Sequence, residues 1–476
     1  MFNIKNIFWS FAGQLSYIFL YFVFNLILSR VLTPAEFGVF AISNTFIILF
    51  TLLKDFGIQN YLITSNTIDK DLCTNVFYFN LFLVAIIYLI LYLTAPFFAK
   101  IYQDDRLADM VRFSGITLWI DALAKIPTAL ATREVNFFRL FVVKSVSLLL
   151  AGLISVYMAI SGSGIYSLLA QPILFSVFSL LILFYFYPFL PHRKISYKSW
   201  NHLFRFSIPL LISSLTQYLS RNIDNLIIGW QFGTTSLGFY NRAYTLMQMP
   251  IQNISYSVSE VLFPEMARIQ HDSTRLSTLY KKALSGVALF SFPIMAYLFV
   301  FADELIFFLY GTEWVEVSNL LRIFCLVGML ESIIYPIGSL LMATGNTMNV
   351  LRFMIWPRLL TVIMILIGST FSVRAIAFCY LMVTILIVPY SIFFAASMLK
   401  TRFTKIALPL VRILLCSLAP ALLVYLIKVV ALEGSVFLLL FISFLIFLMV
   451  YSFFIYYCAP SERNEFLLFF KNSESK

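Results

Sequence analysis

Long runs of apolar residues, separated by short polar segments, dominate the pattern of the chain. A transmembrane helix needs about 20 consecutive, mainly apolar residues. Fourteen segments meet this requirement, and we therefore predict an all-α integral membrane protein with about 14 transmembrane helices. In chain order, the predicted helices 1 to 14 cover residues 7–29, 37–63, 76–99, 111–131, 139–160, 164–187, 206–230, 238–262, 284–308, 319–343, 349–369, 373–397, 406–428 and 435–457.

Residues 214–240 repeat residues 14–40 at a fixed offset of 200 residues and without a gap. The tripeptide Asn-Leu-Ile occurs in both copies, and so does a later glycine, which is Gly38 in the first copy and Gly238 in the second. Matches at one offset indicate an internal duplication, which is common among transporters.

Both copies also carry polar residues three or four positions apart, a spacing that brings side chains to one face of a helix. A polar face at mid-membrane depth needs water or a polar substrate beside it. We therefore expect predicted helices 1 and 7 to turn these faces inward, and the second face carries charge. The stripe comprises Gln14, Tyr17, Tyr21 and Asn25 in the first copy, and Ser214, Gln217, Arg221 and Asn225, with Asp224 beside them, in the second.

The repeat predicts two pseudo-symmetric six-helix lobes around a central cavity. Predicted helices 1 and 7 are six spans apart, so the copies have the same orientation and are related by an axis along the membrane normal. We predict an N-lobe of helices 1–6 at residues 1–187 and a C-lobe of helices 7–12 at residues 206–398. A cytoplasmic linker covers residues 188–205, and helices 13 and 14 with a cytoplasmic tail cover residues 399–476.

Composition and charge support this interpretation. The chain is 61% hydrophobic and 12% charged, whereas soluble domains are about 45–50% apolar and about 25% charged. In a soluble protein the net charge of +11 would suggest nucleic acid. With a cytoplasmic N-terminus, however, 21 of the 33 Lys and Arg residues lie inside and 8 lie outside, as the positive-inside rule expects. We predict two cytoplasmic termini and no nucleic-acid partner.

The sequence offers no basis for catalysis. No loop is long enough for a soluble catalytic domain, and no G-x-S-x-G, Walker A, H-E-x-x-H or paired C-x-x-C motif occurs. The five cysteines are scattered and have no metal-ligand spacing. We expect a protein that is not an enzyme, with no catalytic residues, cofactor or metal site.

Basic side chains inside predicted spans are the candidates for substrate binding. Charges at this depth are costly unless they face a cavity or a partner. Arg221, Arg358 and Lys125 lie on different helices of the two lobes and could converge on one anion. A guanidinium group suits phosphate because its donors match two oxygens at once.

Acidic and polar residues in the spans allow two interpretations. The carboxylates Asp224, Asp121 and Glu331 could take up H⁺ or Na⁺ to couple transport, or they could serve as counter-ions that orient the basic residues. Asp121 with Lys125, and Arg221 with Asp224, share helix faces and could neutralise each other. The sequence leaves these roles open. Further candidates for lining the cavity are Gln14, Gln217, Asn25 and Asn225.

Several stretches resemble the polysaccharide exporters of the multidrug/oligosaccharidyl-lipid/polysaccharide superfamily. The likeness is to the Wzx-type flippases of its colanic-acid and teichuronic-acid exporter branch, and it covers the chain up to predicted helix 12. The matching stretches are LSRVLTPAEFGVFAI (28–42), DNLIIGWQFGTTSLGFYNRAY (224–244), LFPEMARIQHDSTRLSTLYKKAL (262–284), FPI (292–294) and YGTEW (310–314).

The resemblance implies a function and a location. It implies alternating access by two lobes, which moves undecaprenyl-pyrophosphate-linked oligosaccharide from the cytoplasmic to the periplasmic leaflet of the bacterial inner membrane. Such transport serves lipopolysaccharide, exopolysaccharide or capsule synthesis, beside a polysaccharide polymerase machinery. The resemblance also implies a cationic cavity, and the three basic residues are assigned to it by their depth and charge, because no family motif matches them.

Two other functions remain open. A cation-coupled multidrug antiporter shares the fold and would use intramembrane carboxylates, but the motifs and the buried arginines count against it. A glycan polymerase or ligase would be expected to need a large periplasmic loop with basic catalytic residues. The longest outside loop, residues 95–112, is short and is acidic in its middle.

Overall fold

The computed structural model describes residues 4–55, 70–134, 136–192, 198–344, 347–430 and 435–460. All regular secondary structure in these ranges is helical. The α-helices are α1 (Ile4–Val31), α2 (Pro34–Asp55), α3 (Lys70–Tyr102), α4 (Arg106–Ser114), α5 (Ile116–Arg133), α6 (Phe137–Ile160), α7 (Ile165–Phe186), α8 (Lys198–Arg268), α9 (Ser273–Val300), α10 (Ala302–Tyr310), α11 (Val315–Ala343), α12 (Thr347–Ser369), α13 (Val373–Met398), α14 (Phe403–Val430) and α15 (Val436–Cys458).

Within the described ranges, ten helices are long and apolar enough to cross a membrane. They coincide with predicted helices 1, 2, 3, 5, 6, 9, 10, 12, 13 and 14, which confirms the all-α, multi-pass membrane fold. Predicted helices 4, 7, 8 and 11 fall on α5, α8 and α12. The total of 14 spans stays a prediction. Residues 56–69 at the ends of predicted helices 2 and 3, linker residues 193–197 and tail residues 461–476 lie outside the described residues.

Helix α8 contains both predicted helices 7 and 8. Its backbone leaves the helical conformation at Gly233, where φ is 81° and ψ is 173°. Glycine adopts positive φ without the steric cost that a Cβ imposes. The two predicted helices are therefore joined by a kink at one residue and not by a loop.

A capping box begins α2 and explains part of the LTPAEFG stretch. The Thr33 N–H and hydroxyl donate to the Glu36 carboxylate at 2.8 and 2.9 Å, and the Glu36 N–H donates to the Thr33 hydroxyl at 3.4 Å. Pro34 occupies the first helical position, where no intrahelical N–H bond is needed. These residues define where α2 starts.

The chain divides into two compact units, Met1–Gly238 and Phe239–Lys476. In the first unit, the part of α8 before the kink packs against earlier helices. The Tyr218 hydroxyl donates to the Thr45 carbonyl at 2.8 Å, and the Tyr102 hydroxyl donates to the Leu226 carbonyl at 3.3 Å. The predicted boundaries of the lobes, linker and tail are a different division of the chain and stay a prediction.

The two copies of the repeat make a reciprocal contact inside the first unit. A Cβ placed on Gly38 would lie 1.7 Å from the carbonyl oxygen of Thr234, and a Cβ placed on Gly238 would lie 2.1 Å from that of Pro34. Thr234 and Pro34 are themselves equivalent positions of the repeat. Such exchange of partners is the signature of two-fold symmetry. Both glycines are required because the backbones touch where a side chain would stand.

In the second unit, the last two helices pack against α9. The Tyr297 hydroxyl donates to the Leu440 carbonyl at 2.7 Å, and the Tyr451 hydroxyl donates to the Leu289 carbonyl at 2.7 Å. The Lys428 ammonium on α14 lies 2.9 Å from the Glu304 carboxylate on α10. Hydrogen-bonded tyrosines thus hold the C-terminal helix to the body of this unit.

Candidate functional site

Four charged side chains meet between α2 and α5 in the first unit. Lys125 lies 2.8 Å from Asp55, and Lys54 lies 3.9 Å from Asp55 and 3.8 Å from Asp121, measured from ammonium nitrogen to carboxylate oxygen. Lys54 is only 1% exposed, whereas the side chains of Asp55 and Asp121 are 40% and 43% exposed. We call Lys54, Asp55, Asp121 and Lys125 the charge cluster. Its formal charge is zero, and the distances show that each lysine has a carboxylate beside it.

The charge cluster revises one expectation. Asp121 and Lys125 share a helix face, but the close partner of Lys125 is Asp55. The sequence interpretation did not single out Lys54 or Asp55, because it counted Lys54 as a residue of the cytoplasmic end. The sequence feature that could have located this cluster was the adjacent pair of opposite charges, Lys54 and Asp55, at the end of an apolar run. It was missed because the partners are about 70 residues further along the chain.

Arg221 and Asp224 on α8 have different surroundings. Arg221 is exposed and has no ion-pair partner among the described residues, whereas Asp224 is 5% exposed. Asp224 accepts a hydrogen bond from the Asn225 N–H at 2.8 Å. None of the described ion pairs joins the two residues, so the structure does not support their mutual neutralisation. A cation on an exposed face of this helix is available to a ligand.

The remaining polar candidates of the first unit lie on α1 and α8. Gln14 is exposed, and Asn25 and Asn225 are half-buried. The Asn25 amide donates to the Tyr21 carbonyl at 3.0 Å, one turn back along the helix. The Gln217 side chain lies outside the described residues.

Glu331 lies on α11 in a hydrogen-bonded group of the second unit. Its Oε1 accepts from the Tyr380 hydroxyl on α13 at 2.5 Å, and its Oε2 accepts from the Gln248 Nε2 on α8 at 3.0 Å. The same Gln248 nitrogen donates to the Tyr244 hydroxyl at 3.0 Å. We call Tyr244, Gln248, Glu331 and Tyr380 the glutamate group. The sequence interpretation found only Glu331, because neutral partners on other helices leave no local pattern.

Arg358, the third basic candidate, is half-buried on α12 of the second unit. Lys125 and Arg221 belong to the first unit. The convergence of these three cations on one anion therefore stays a prediction.

An apolar groove of about 330 Å³ also lies in the second unit. Its lining comes from α9, α11, α13 and α14, with no polar surface. Residues from these four helices include Phe292, Leu326, Met329, Ile385, Leu410 and Leu414. A groove of this character accepts hydrocarbon and excludes sugar or phosphate.

Two of the matching sequence stretches meet around Arg242. Its guanidinium carbon lies 5.7 Å from the Tyr310 ring centre and 5.8 Å from the Trp314 ring centre. Arg242 is 7% exposed, and cation–π contacts of this kind are worth more when they are desolvated. Burial raises the pKa of Tyr310 although Arg242 opposes the shift. The YGTEW stretch therefore has a structural role in holding α8 to α10.

Among the described residues, no group of three or more His, Cys, Asp or Glu side chains could hold a metal ion. The polar groups of the candidate sites above are ammonium and guanidinium cations, carboxylates, amides and hydroxyls. Such groups suit an anionic or sugar ligand and the transfer of protons.

Comparisons with known proteins fit this chemistry. A family model described as polysaccharide biosynthesis protein matches residues 27–319. The chain is 27% identical over 371 residues to the lipopolysaccharide biosynthesis protein WzxC of Escherichia coli K12, which covers 76% of this chain and 74% of the relative. Its fold is similar to that of the lipid II flippase MurJ in an inward closed conformation, with a TM-score of 0.75, 16% identity and coverage of 94% and 98% of the two chains. An inward-facing multidrug transporter of the MATE family gives a TM-score of 0.56, 14% identity and coverage of 82% and 99%.

Proposed function

Because the chain belongs to the polysaccharide biosynthesis protein family, we propose that it is a flippase for undecaprenyl-pyrophosphate-linked oligosaccharide. It moves the repeat unit from the cytoplasmic to the periplasmic leaflet by alternating access. In this proposal the protein lies in the bacterial cytoplasmic membrane with both termini in the cytoplasm. Its product feeds a polymerase that makes lipopolysaccharide, exopolysaccharide or capsule.

One observation carries the proposal for the substrate. Arg221 lies on a helix predicted to span the membrane, is exposed, and has no ion-pair partner among the described residues. A cation at this depth that faced only lipid would cost about 2.5–3.5 kcal/mol. An anionic head group that passes the helix removes this cost, and pyrophosphate offers oxygens that match the guanidinium donors.

The rest of the substrate divides between two environments. The glycan is polar and follows the head group along the polar faces of α1 and α8, where Gln14, Asn25 and Asn225 offer hydrogen bonds. The isoprenoid tail stays in lipid, and the apolar groove of the second unit provides a protein surface for it. Only the polar part of the substrate then crosses within the protein.

The lysines of the charge cluster are the further cations of the proposed site in the first unit, and the part taken by Arg358 of the second unit stays a prediction. Lys125 is held by Asp55, and a phosphate that binds there can replace that carboxylate at little net electrostatic cost. The carboxylates also offer places for H⁺ or Na⁺ to couple transport. The same pairing weakens the multidrug antiporter alternative, because Asp55 and Asp121 lie beside lysines and are not offered to a cationic drug.

A cell-based experiment tests the proposal. In the native host, removal of the chain should stop polymer export and leave lipid-linked repeat units in the cytoplasmic leaflet, where added periplasmic glycosidase cannot reach them. Re-expression should restore both. Normal export, or repeat units that remain periplasmic without the chain, would contradict the proposed function.

A further inference from the structure

The buried Lys54 ammonium of the charge cluster has hydrogen-bonding capacity that the structure leaves unused. Its side chain is 1% exposed, and its nitrogen lies 3.9 Å from the Asp55 carboxylate and 3.8 Å from the Asp121 carboxylate. A hydrogen bond from an ammonium to a carboxylate is about 2.7–2.9 Å long. Among the described residues, this nitrogen makes no shorter polar contact. Lys54 is therefore paired by charge alone, and its N–H donors can still take up a carboxylate.

Asp55 lies between the two lysines of the cluster and holds only one of them closely. The same oxygen, Oδ1, is 2.8 Å from the Lys125 nitrogen and 3.9 Å from the Lys54 nitrogen. The Asp55 side chain is 40% exposed, whereas those of Lys125 and Lys54 are 11% and 1% exposed. Of these three side chains, the carboxylate has the most room to move. A displacement of about 1 Å would bring it within hydrogen-bonding distance of Lys54.

We propose that Asp55 exchanges partners when substrate binds. A diphosphate group takes Lys125, and the Asp55 carboxylate transfers from Lys125 to Lys54. The inference rests on the proposed function and identifies how the diphosphate of the substrate is received in the first unit. Lys54 is a positioning residue in this exchange, because it acts on the substrate only through Asp55. Asp121 stays beside Lys54 in both states.

Charge balance favours an exchange over simple displacement of the carboxylate. If Asp55 only lost Lys125, a partly buried carboxylate would be left without a close cation, which is unfavourable. With the exchange, the diphosphate neutralises Lys125, and Asp55 gains a hydrogen bond from the Lys54 ammonium. Each charged group therefore has a partner of opposite charge before and after binding.

The place of the charge cluster in the fold suits this role. Helix α2 ends at Asp55, and in the proposed topology that end faces the cytoplasm, where the lipid-linked substrate is made. A neutral or cationic ligand cannot replace a carboxylate on Lys125, so the exchange selects for an anion. All four residues lie in the first unit, so the exchange requires no contact with the second.

Calorimetric titration of the purified chain in detergent with farnesyl diphosphate, and separately with inorganic pyrophosphate, tests the exchange. Lys125→Met should weaken binding of both ligands about ten- to a hundredfold, since it removes the cation that contacts them. Lys54→Met should weaken binding about three- to tenfold, because the displaced Asp55 has no cation to join. Adding Asp55→Asn to Lys54→Met should restore native affinity, because no carboxylate has to move.

Two matched controls separate the exchange from folding and from net charge. Lys54→Met with Asp121→Asn should regain stability but still bind weakly, because Asp55 is present and has no second cation. Lys54→Met with Asp109→Asn has the same net charge as the restoring variant and should also bind weakly. Asp109 is 55% exposed on α4 and lies 3.9 Å from Arg112, outside the charge cluster.

Infrared difference spectroscopy gives a readout that requires no change at Lys54. Adding inorganic pyrophosphate to the native chain should shift a carboxylate band, since Asp55 changes its partner and stays ionised. The shift should be absent in Asp55→Asn and retained in Asp109→Asn. A shift that persists in Asp55→Asn would overturn the exchange.

The binding data can contradict the exchange in separate ways. Native affinity in Lys54→Met would overturn it, and so would weak binding in Lys54→Met with Asp55→Asn, which would mean that Lys54 contacts the ligand itself. The predicted ranking with inorganic pyrophosphate but not with farnesyl diphosphate would assign the site to a free anion and overturn its role toward lipid-linked substrate. The predicted ranking with both ligands, in a chain that supports no polymer export, would leave the exchange standing and remove the proposed function.

Discussion

Residues 21–30 and 221–230 have the same order of exposed, half-buried and buried side chains, position by position. The chemistry at these equivalent positions differs. Tyr21 and Arg221 are both exposed, and Phe24 and Asp224 are both buried. The two copies therefore share the same pattern of side-chain exposure along the helix, but the side chains at equivalent positions differ in chemistry. The first copy offers an aromatic ring where the second offers a cation, so we expect one copy to serve packing and the other to bind substrate.

The shared geometry is most easily broken at the glycines. Gly38→Val or Gly238→Val should prevent the folded protein from accumulating, because even a Cβ would overlap a backbone carbonyl oxygen. Overpacking usually costs about 1–3 kcal/mol, and more where backbone must move. Protein levels and size-exclusion profiles measure the effect.

A matched control for the glycines is Gly338→Ala on α11, where a Cβ would meet nothing within 4 Å. This substitution should be neutral or slightly stabilising. Normal levels of both valine variants would show that the reciprocal contact is not required.

The lysines of the charge cluster sharpen the comparison because, unlike Arg221, they have carboxylate partners within the protein. Lys54→Met should destabilise the chain by leaving Asp121 without its cation. Breaking a buried pair costs about 3–5 kcal/mol, and the partial exposure of the carboxylates reduces this to ~1–3 kcal/mol. Thermal unfolding of the purified protein measures the loss.

The double variant Lys54→Met with Asp121→Asn should recover most of that stability. Arg374→Met, which removes a pair whose members are 55% and 56% exposed, should change stability by less than about 1 kcal/mol. An equal loss of stability in Lys54→Met and Arg374→Met would mean that the charge cluster stabilises the protein no more than an exposed ion pair does.

The chemical difference between the copies is tested by making the second like the first. Arg221→Tyr and Arg221→Ala should leave protein levels intact and reduce polymer export roughly ten- to a hundredfold, since a charge-assisted hydrogen bond contributes about 1.5–3 kcal/mol. Arg221→Lys should recover part of the activity, because charge remains without the two-point geometry.

Adding Asp224→Ala to Arg221→Ala should not restore export, because these residues are not an ion pair in the structure. A fully active double variant would show that Arg221 only balances Asp224, and would remove it from the substrate site.

The smallest effect is expected in the first copy. Tyr21→Phe should change export by no more than about threefold, the equivalent of a surface substitution worth ~0.5 kcal/mol. The Tyr21 ring stacks on Tyr17 with centres 6.1 Å apart, and phenylalanine keeps that contact. A loss as large as that of Arg221→Ala would erase the proposed division of roles.

The sequence was sufficient where information is local or repeated. Apolar runs located the helices, and the offset of 200 residues matched Gly38 to Gly238, whose contact the structure then explained. Side chains brought together by tertiary packing were not predictable. Lys54 meets Asp121, and Glu331 meets Gln248 and Tyr380, across 67, 83 and 49 residues of chain. The kink at Gly233 was not predictable either. The sequence analysis left a gap between predicted helices 7 and 8, because hydropathy carries no information about the backbone angle φ of one glycine.

Transfer of a lipid-linked oligosaccharide across a bilayer by the purified chain is the most direct test of the account. The chain is reconstituted in liposomes with labelled undecaprenyl-pyrophosphate-linked oligosaccharide extracted from the host, and a glycosidase added outside reports the glycan that reaches the outer leaflet. We predict that native protein makes protected glycan accessible faster than empty liposomes do, and that Arg221→Ala is about ten- to a hundredfold slower at equal protein. A native rate equal to that of empty liposomes, or an Arg221→Ala rate equal to the native one, would contradict the account.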